Sequence, residues 1–225
     1  MKLRNYLNRN FPKVDLVPSI YYQWNIGIHF SLGEEIYQFK EKGELNLERF
    51  RIVYSQVNTL FNELFEYNDD LLLVTNVYKH KTNEKRIRKL KVYQNFLKDK
   101  QNLYKIHVKT YPYPFEADDA EEFEMQQFSL WCKRDDINVI ELLKAASNED
   151  FTLKPRFGGY SVHYPDVFFV NVTTKDIIFF VYDDRGCEVI ALDPDRLILI
   201  YEKYNNWIEE VDRPRIEQGI AKKQP

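Results

Sequence analysis

Two apolar runs separated by polar and turn-forming residues give the clearest structural signal in the sequence. The runs are 177–181 and 187–192, with 183–186 between them. β-Branched and aromatic residues on either side of a glycine-containing turn predict a β-hairpin. In a type I turn of this kind, we expect Asp183 to accept a backbone hydrogen bond and Gly186 to have a positive φ. Because the first run is apolar throughout, the pattern also predicts that its strand is covered on both faces.

The residues on either side of this hairpin complete a C-terminal unit. An apolar run at 166–172 predicts a strand directly before the hairpin, so that three consecutive strands form a meander. Asp193 and Pro194 follow the hairpin and are typical of a helix N-terminus. Apolar residues then recur at spacings of three and four up to Val211, which predicts a helix that packs against the hairpin.

The N-terminal half contains both kinds of hydrophobic periodicity. Residues 2–11 predict a short helix, and 24–32 alternate between apolar and polar positions as a half-buried strand does. His29 lies on the polar face of that strand, so we expect a solvated side chain. Residues 46–66 predict a long amphipathic helix, and 71–78 predict a second strand. The order of strand, helix and strand indicates an α/β unit without fixing whether its strands are parallel.

Together these elements predict an α+β fold. We expect a mixed or mainly antiparallel sheet, with a C-terminal three-strand meander and amphipathic helices packed on it. The hydrophobic fraction of 44% and the aromatic fraction of 16% supply ample material for a core. A single compact domain over 1–225 is expected. The alternative is two lobes, 1–115 and 116–225, divided at the proline-containing loop 111–114.

Overall charge and cysteine usage narrow the class of protein. The net charge of −3 argues against bulk electrostatic affinity for nucleic acid or for an anionic membrane. The N-terminus lacks the apolar core of a signal peptide, and no apolar run approaches the roughly 18 residues of a membrane-spanning helix. Cys132 and Cys187 are far apart in the sequence and are typical of reduced residues in a cytoplasmic protein.

Charge is nevertheless strongly segregated along the chain. Basic residues are concentrated in 79–91 and continue on alternate positions of a strand predicted at 103–111, and six acidic residues follow in 116–124. The two blocks either pair with each other or form recognition surfaces. The candidate basic patch consists of Lys85, Arg86, Arg88, Lys89, Lys105 and Lys109. The candidate acidic contact residues are Asp118, Asp119, Glu121 and Glu122.

The predicted hairpin turn offers a second candidate site. Asp183 and Asp184 are adjacent carboxylates at a strand end, as in two-metal phosphoryl-transfer sites. Such a site needs further ligands, and Asp193, Asp195 and His163 are the candidates. Consecutive turn residues point apart, however, and Arg185 is placed to neutralise the pair. We therefore expect no metal and no cofactor, and we include Asp183, Asp184 and Arg185 among the binding residues.

Other catalytic arrangements are absent from the sequence. No histidine has a spacing that marks it as a partner of either cysteine, and no cysteine or histidine cluster has zinc-ligand spacing. The glycine pair at 158–159 lacks the strand, spacing and following helix of a phosphate-binding loop. These absences favour binding over catalysis.

The C-terminal third contains a distinctive series of residues. The series is Phe168-Phe-Val-Asn171, Tyr182-Asp-Asp-Arg-Gly186, Val189-Ile-Ala191, Leu197, Tyr201-Glu-Lys-Tyr204, Trp207-Ile208 and Asp212-Arg213. This series resembles an uncharacterised family of small proteins from Gram-positive bacteria. The family is labelled as a domain of unknown function, so the resemblance implies no catalytic residue. Proteins of this size and genomic type often accompany polymorphic toxins as immunity partners, and the resemblance implies that association.

Three classes of function follow from these observations. The favoured one is a non-enzymatic protein that binds another protein, including a toxin domain, through complementary surfaces. The first alternative is a metal-dependent phosphoryl-transfer or nuclease-like enzyme that uses Asp183 and Asp184. The second is a nucleic-acid-associated protein that uses the basic face of 79–109 with Tyr104 and Tyr111, although the net charge makes nucleic acid the less expected partner. The sequence predicts no membrane association and leaves the oligomeric state open.

Overall fold

The computed structural model describes residues 3–33, 35–82, 92–157, 165–173 and 176–221. These residues form one seven-stranded sheet with the order β1-β7-β6-β5-β2-β4-β3, in which every neighbouring pair is antiparallel. The strands are β1 (Gly27–Ser31), β2 (Asp70–His80), β3 (His107–Pro112), β4 (Phe123–Lys133), β5 (Asp166–Asn171), β6 (Ile177–Val181) and β7 (Gly186–Ala191).

Helices pack on both faces of this sheet, which confirms the predicted α+β class. The described α-helices are α1 (Leu3–Asn10), α2 (Ile20–Gln23), α3 (Leu47–Leu64), α4 (Asp119–Glu122), α5 (Val139–Ser147), α6 (Asp195–Lys203) and α7 (Arg213–Ala221). Short 3-10 helices lie at Lys100–Lys105, Arg134–Asp136 and Asn205–Trp207. Among the residues described, no helix combines the length and the apolar character that crossing a membrane requires.

The predicted meander is present as β5, β6 and β7, and all of its residues are buried. Alternate residues of β6 enter two different hydrophobic clusters. Ile178 and Phe180 pack with α1 and the segment after it, while Phe179 packs with α3 on the opposite face. Burial of each such side chain stabilises the fold by about 1.5 to 3 kcal/mol. The continuous apolar run therefore reflects a strand covered on both sides, as predicted.

The two faces of the sheet are covered to different extents. On one face α3, α5 and α6 contribute to a large cluster that reaches from β1 to β4. On the other face α1 and residues 11–24 pack against β5, β6 and β7 and, among the described contacts, reach along β2 as far as Asn76. Five of the six residues of β3 are exposed. The sheet consequently has an open area on this face, over β4 and β3.

Several N-terminal predictions differ from the structure. β1 and β2 are separated in the sheet by β7, β6 and β5, so the strand, helix and strand do not form a local α/β unit. The strand predicted at 103–111 begins only at His107, because the residues before it form a 3-10 helix. The proline-containing loop 111–114 begins within β3, and strands from both 1–115 and 116–225 join the same sheet.

Gly186 serves a purpose different from the one predicted. It is the first residue of β7 and does not have the positive φ of Gly33 and Gly43. A Cβ atom at this position would lie 1.9 Å from the Tyr182 hydroxyl oxygen and 2.7 Å from the Phe30 carbonyl oxygen. Close approach of the Tyr182 side chain and the neighbouring backbone therefore requires glycine here.

Candidate interaction surface at the β3–β4 end of the sheet

The acidic segment lies on the connection between β3 and β4. The connection contains the short helix α4, and the side chains of Asp118, Asp119, Glu121 and Glu122 are all exposed. Within the described residues, Glu122 is the only one of the four with an ion pair, in which its Oε2 lies 3.4 Å from Nε2 of His80. The predicted acidic residues are thus brought together at the surface.

An aromatic cluster holds this connection against the end of β2. Tyr113 packs edge-on against Tyr78 with ring centroids 5.7 Å apart, and Phe115 lies 5.3 Å from Tyr78. Phe123, the first residue of β4, contacts both Tyr113 and His80, at 5.7 and 5.2 Å. Aromatic pairs of this kind contribute about 0.5 to 1.5 kcal/mol each beyond their buried area. The acidic side chains therefore project from a segment whose base is fixed by packing.

Basic residues at the end of β2 and directly after it contact part of the acidic block. Nζ of Lys79 lies 2.8 Å from Oε1 of Glu124, and both side chains are largely buried. Lys81 donates from Nζ to the Ala120 carbonyl oxygen at 2.7 Å and from its backbone N–H to the Glu122 carbonyl oxygen at 2.7 Å. Internal pairing therefore fastens the base of the acidic segment and leaves the carboxylates of α4 at the surface.

The predicted basic patch is only partly within the described structure. Lys85, Arg86, Arg88 and Lys89 lie outside the described residues. Lys105 and Lys109 are exposed beside β3, and Lys105 donates from Nζ to Asn102 Oδ1 at 2.7 Å. These two lysines flank the open face of the sheet, so positive and negative side chains occupy neighbouring parts of one end of the molecule.

The turn residues Asp183 and Asp184 have their charges satisfied within the fold. Asp183 accepts from the Arg185 backbone N–H at 2.7 Å, which confirms the predicted turn bond, and from Arg185 Nε at 2.7 Å. Asp184 is fully buried, and its Oδ2 accepts from Nε of Arg49 at 2.6 Å. Arg49 also donates to the carbonyl oxygens of Leu32, Gly33, Ile36 and Asp184. The two carboxylates thus face different guanidinium groups.

The remaining candidates for a metal site do not join this pair. Asp193 accepts from the Asp195 backbone N–H at 3.0 Å and so marks the start of α6 as predicted. His163 lies outside the described residues. Within the part of the chain that the structure describes, no group of three or more His, Cys, Asp or Glu side chains is arranged to hold a metal ion.

Two buried or half-buried carboxyl groups lie among other acids. Burial raises the pKa of Asp166 to about 7, against the opposing effect of hydrogen bonds from Tyr78 and Asn76. Burial and the negative charges of Asp166, Asp150 and Asp183 raise the pKa of Glu149 to about 10. Loss of hydration is the largest cause of both shifts, and for Glu149 the charge of Arg185 opposes it only in part.

The cysteines lack the environment of a nucleophile. Cys132 and Cys187 are both buried and free. Burial is the largest cause of the raised pKa of each thiol. A thiol activated for catalysis needs the opposite shift, because the thiolate is the reactive form.

His29 occupies a position that the sequence analysis misjudged. Its Nδ1 lies 2.7 Å from Asp212 Oδ2, and its Nε2 lies 2.9 Å from the Tyr182 hydroxyl oxygen, so the side chain is not simply solvated. It links β1 to the hairpin and to the segment before α7. Asp212 is 183 residues away in sequence, and no local pattern signals such a partner.

Comparisons with known proteins agree with the motifs of the C-terminal third. A family model described as "Domain of unknown function (DUF3885)" matches residues 3–212. The chain is 67% identical over 210 residues to "Uncharacterized protein YnaE" of Bacillus subtilis (strain 168), a match that covers 93% of this chain and 98% of that protein. No solved structure matches. The chain therefore belongs to the DUF3885 family, and a Gram-positive bacterium provides a similar member.

Proposed function

We propose that this protein acts by binding another protein and that the acidic segment 116–122 is its principal contact surface. The observation that most supports this proposal is the exposure of Asp118, Asp119 and Glu121, which make no ion pair with the residues the structure describes. The aromatic cluster beneath them fixes the segment before any partner arrives. A surface that is already ordered loses less conformational entropy on binding, which increases affinity.

Charge defines the kind of partner that this surface fits. Clustered carboxylates repel one another, and a cationic surface on a partner relieves that repulsion while accelerating diffusional encounter. Within the described sheet, one side of the adjacent edge strand β3 has no neighbouring strand. Backbone groups on that side extend the available contact area beside the acidic segment.

Immunity is the specific form of binding that we propose. A toxin domain that acts on nucleic acid requires a cationic substrate surface, because phosphate contacts dominate affinity for nucleic acid. An acidic segment that occupies such a surface would exclude the substrate without any catalysis by the binding protein. Membership of the family does not test this proposal, since the family is described only as a domain of unknown function.

The metal-dependent alternative receives little support from the turn. Asp183 and Asp184 bind different arginines, and Asp184 has no exposed surface. Coordination of a metal by both residues would require breaking the buried pair with Arg49. Breaking such a pair costs about 3 to 5 kcal/mol, because one charge is left buried without compensation.

The test is charge reversal in the acidic segment. The variant Asp118→Lys/Asp119→Lys/Glu121→Lys is captured on resin beside wild type in lysate of the native host, and the proteins retained are identified. A specific partner is then purified and titrated against both proteins. We expect at least a tenfold loss of affinity, with the free energy of unfolding within about 1 kcal/mol of wild type because exposed charges contribute little to stability.

The matched control is Glu41→Lys/Glu44→Lys/Glu202→Lys, which changes the net charge equally at exposed positions elsewhere. This variant should retain wild-type affinity. Equal loss of binding in both variants would indicate a general effect of net charge. Wild-type affinity in the Asp118→Lys/Asp119→Lys/Glu121→Lys variant would contradict the proposed contact surface.

A further inference from the structure

The open face of the sheet contains a groove that the proposed protein-binding function does not use. One bank is formed by α1 and residues 13–17, and the other by residues of β3 and β4. The volume of the groove is about 980 Å³. Ligand sites in proteins are typically about 300 to 1,000 Å³, so this groove is large enough for a small molecule.

Apolar side chains line much of the groove, although its β4 floor is mixed. Met125 and Trp131 of β4 line it together with Gln127 and Ser129, and the aliphatic residues Leu3, Leu7, Val14 and Leu16 line the N-terminal bank. Trp131 is the most exposed of these residues, with 37% of its surface accessible. Exposed apolar area in a concave site favours a ligand that removes it from water.

Positive charge lines both banks of the groove. Arg4 and Lys13 lie on the N-terminal bank, and Lys105 and Lys109 lie on the strand bank. Asp15 is the one carboxylate among the described lining residues. Arg4, Lys13 and Lys109 are exposed and make no ion pair with any residue that the structure describes. Four cationic side chains against one carboxylate leave the groove positive although the whole chain is negative.

We propose that this groove binds an anionic amphiphile, meaning a long aliphatic chain that ends in a carboxylate or a phosphate. The aliphatic chain lies along the N-terminal bank against Leu3, Leu7 and Val14, and the anionic group pairs with lysines and Arg4 at the rim.

The chemistry of the lining favours this ligand over two other anions. An extended acidic peptide would bury amide groups against the face of β4, whose own amides are paired with β2 and β3, and unpaired amides are costly to bury. Single-stranded nucleic acid binds through successive aromatic platforms. In this groove Trp131 and Tyr111 lie at opposite ends of the strands instead of forming such a series. The N-terminal bank presents aliphatic side chains, and a hydrocarbon chain packed on them needs no hydrogen bonds.

The direct test is calorimetric titration of the full chain with monomeric dodecanoate. We expect saturable binding at one site, together with a change in tryptophan fluorescence because Trp131 lies in the groove. Dodecyltrimethylammonium, which has the same chain and the opposite charge, should bind at least tenfold more weakly. Binding of dodecanoate should weaken as salt is raised, because salt screens the exposed cations.

Variants locate the site. Lys13→Glu/Lys109→Glu reverses one cation on each bank and should weaken dodecanoate binding at least tenfold. Lys40→Glu/Lys42→Glu has the same net charge and changes exposed lysines in the loop before α3, so it should bind as wild type does. Ser129→Trp places a large side chain on the floor and should block binding even where the cations remain.

The remaining measurements distinguish between candidate ligands, and between a free ligand and one within a lipid bilayer. Dodecyl phosphate should bind as dodecanoate does, and sedimentation with phosphatidylglycerol vesicles shows whether the anionic group is recognised within a bilayer or only in a free molecule. Binding of hexaglutamate or of a twelve-residue oligothymidylate in place of dodecanoate would overturn the proposal. So would equal affinity for both dodecyl compounds. The acidic-segment variant should bind dodecanoate normally, which keeps this test separate from that of the proposed function.

Discussion

Two pairs of adjacent aspartates in this protein have opposite environments. Asp118 and Asp119 lie at the start of α4 and are exposed, with no ion pair to the described residues. Asp183 and Asp184 lie in the hairpin turn with 4% and 0% of their surfaces accessible, and each is bound by an arginine. The same dipeptide is therefore exposed to solvent in one place and buried beside arginines in the other.

The difference shows why the free energy of a carboxylate depends on its surroundings. An exposed carboxylate keeps its hydration and adds little to stability. A buried one has lost its hydration and must be compensated by charge or hydrogen bonds. The same kind of substitution should consequently change the free energy of unfolding much more at a buried carboxylate than at an exposed one.

The largest expected effect is that of Asp184→Ala. Removal of this carboxylate leaves the buried Arg49 guanidinium without its counter-charge, and we expect a loss of about 3 to 5 kcal/mol in the free energy of unfolding. Urea denaturation measures the loss. The control is Glu48→Ala, which breaks an exposed pair with Arg51 whose atoms are 3.1 Å apart, and should cost under about 1 kcal/mol. Similar losses in the two variants would contradict the proposed difference between buried and exposed carboxylates.

Asp166 is a third kind of carboxylate, which is buried but accepts hydrogen bonds from neutral donors rather than from an arginine. Its pKa is about 7 in the folded protein and about 3.9 in an unfolded chain. Between these values the folded state holds more protons, so the contribution of Asp166 to stability falls as pH rises. Relative to Asp166→Asn, the wild type should lose on the order of 2 to 4 kcal/mol from pH 4 to pH 7.

Denaturation of both proteins across this pH range gives the measurement. Taking the difference between them cancels the titration of the remaining groups, including Glu149. A difference that stays constant, or that increases with pH, would show that Asp166 is not the desolvated carboxyl group the structure describes.

Alanine substitutions at a closely packed glycine and at an exposed glycine should also differ in their cost to stability. Gly186→Ala places a methyl group against Tyr182 and the Phe30 backbone, and we expect a cost of about 2 to 3 kcal/mol from overpacking. Gly43 has a φ of 77° but open space around its Cβ position, so Gly43→Ala should cost only about 1 kcal/mol from backbone strain. Thermal melts of the two variants compare them, and a larger loss in Gly43→Ala would indicate that close packing at Gly186 is described wrongly.

The smallest expected effect is that of Asp118→Asn/Asp119→Asn. Neutralising two exposed carboxylates should leave the free energy of unfolding within about 0.5 kcal/mol of wild type. A distinct increase in stability would also be informative, because it would measure the repulsion that the acidic segment carries. A clear decrease would show that these side chains stabilise the fold and are not free for a partner.

The parts of the fold that were predicted best from the sequence are those determined by residues close together in the chain. The hairpin, the meander and α3 follow from residues within one or two turns or strands of each other, and the structure confirms them. The order of the strands was not predictable, since the pairing of β1 with β7 depends on residues at opposite ends of the chain. Gly186 was correctly identified as necessary for a wrong reason, because the side chain that excludes a Cβ is visible only in three dimensions.

The candidate site shows the same division. The acidic residues of 118–122 were predictable as a group, because four of these five residues are acidic and charged side chains are rarely buried without partners. The cationic groove was not, because Arg4 and Lys13 are nearly a hundred residues from Lys105 in the sequence. Likewise, nothing near Asp184 in the sequence indicates that Arg49 is its partner, and only the packing of α3 against the turn brings them together.

The position of β1 at the edge of the sheet also has a consequence for biosynthesis. This strand leaves the ribosome early, yet its partner β7 is among the last strands to be made, and His29 of β1 must find an aspartate 183 residues later. Strands β2, β4 and β5 can pair while the chain is still growing. A nascent or truncated chain that ends before Gly186 would therefore expose both β1 and β6 as unpaired edges, which are the surfaces most prone to aggregation.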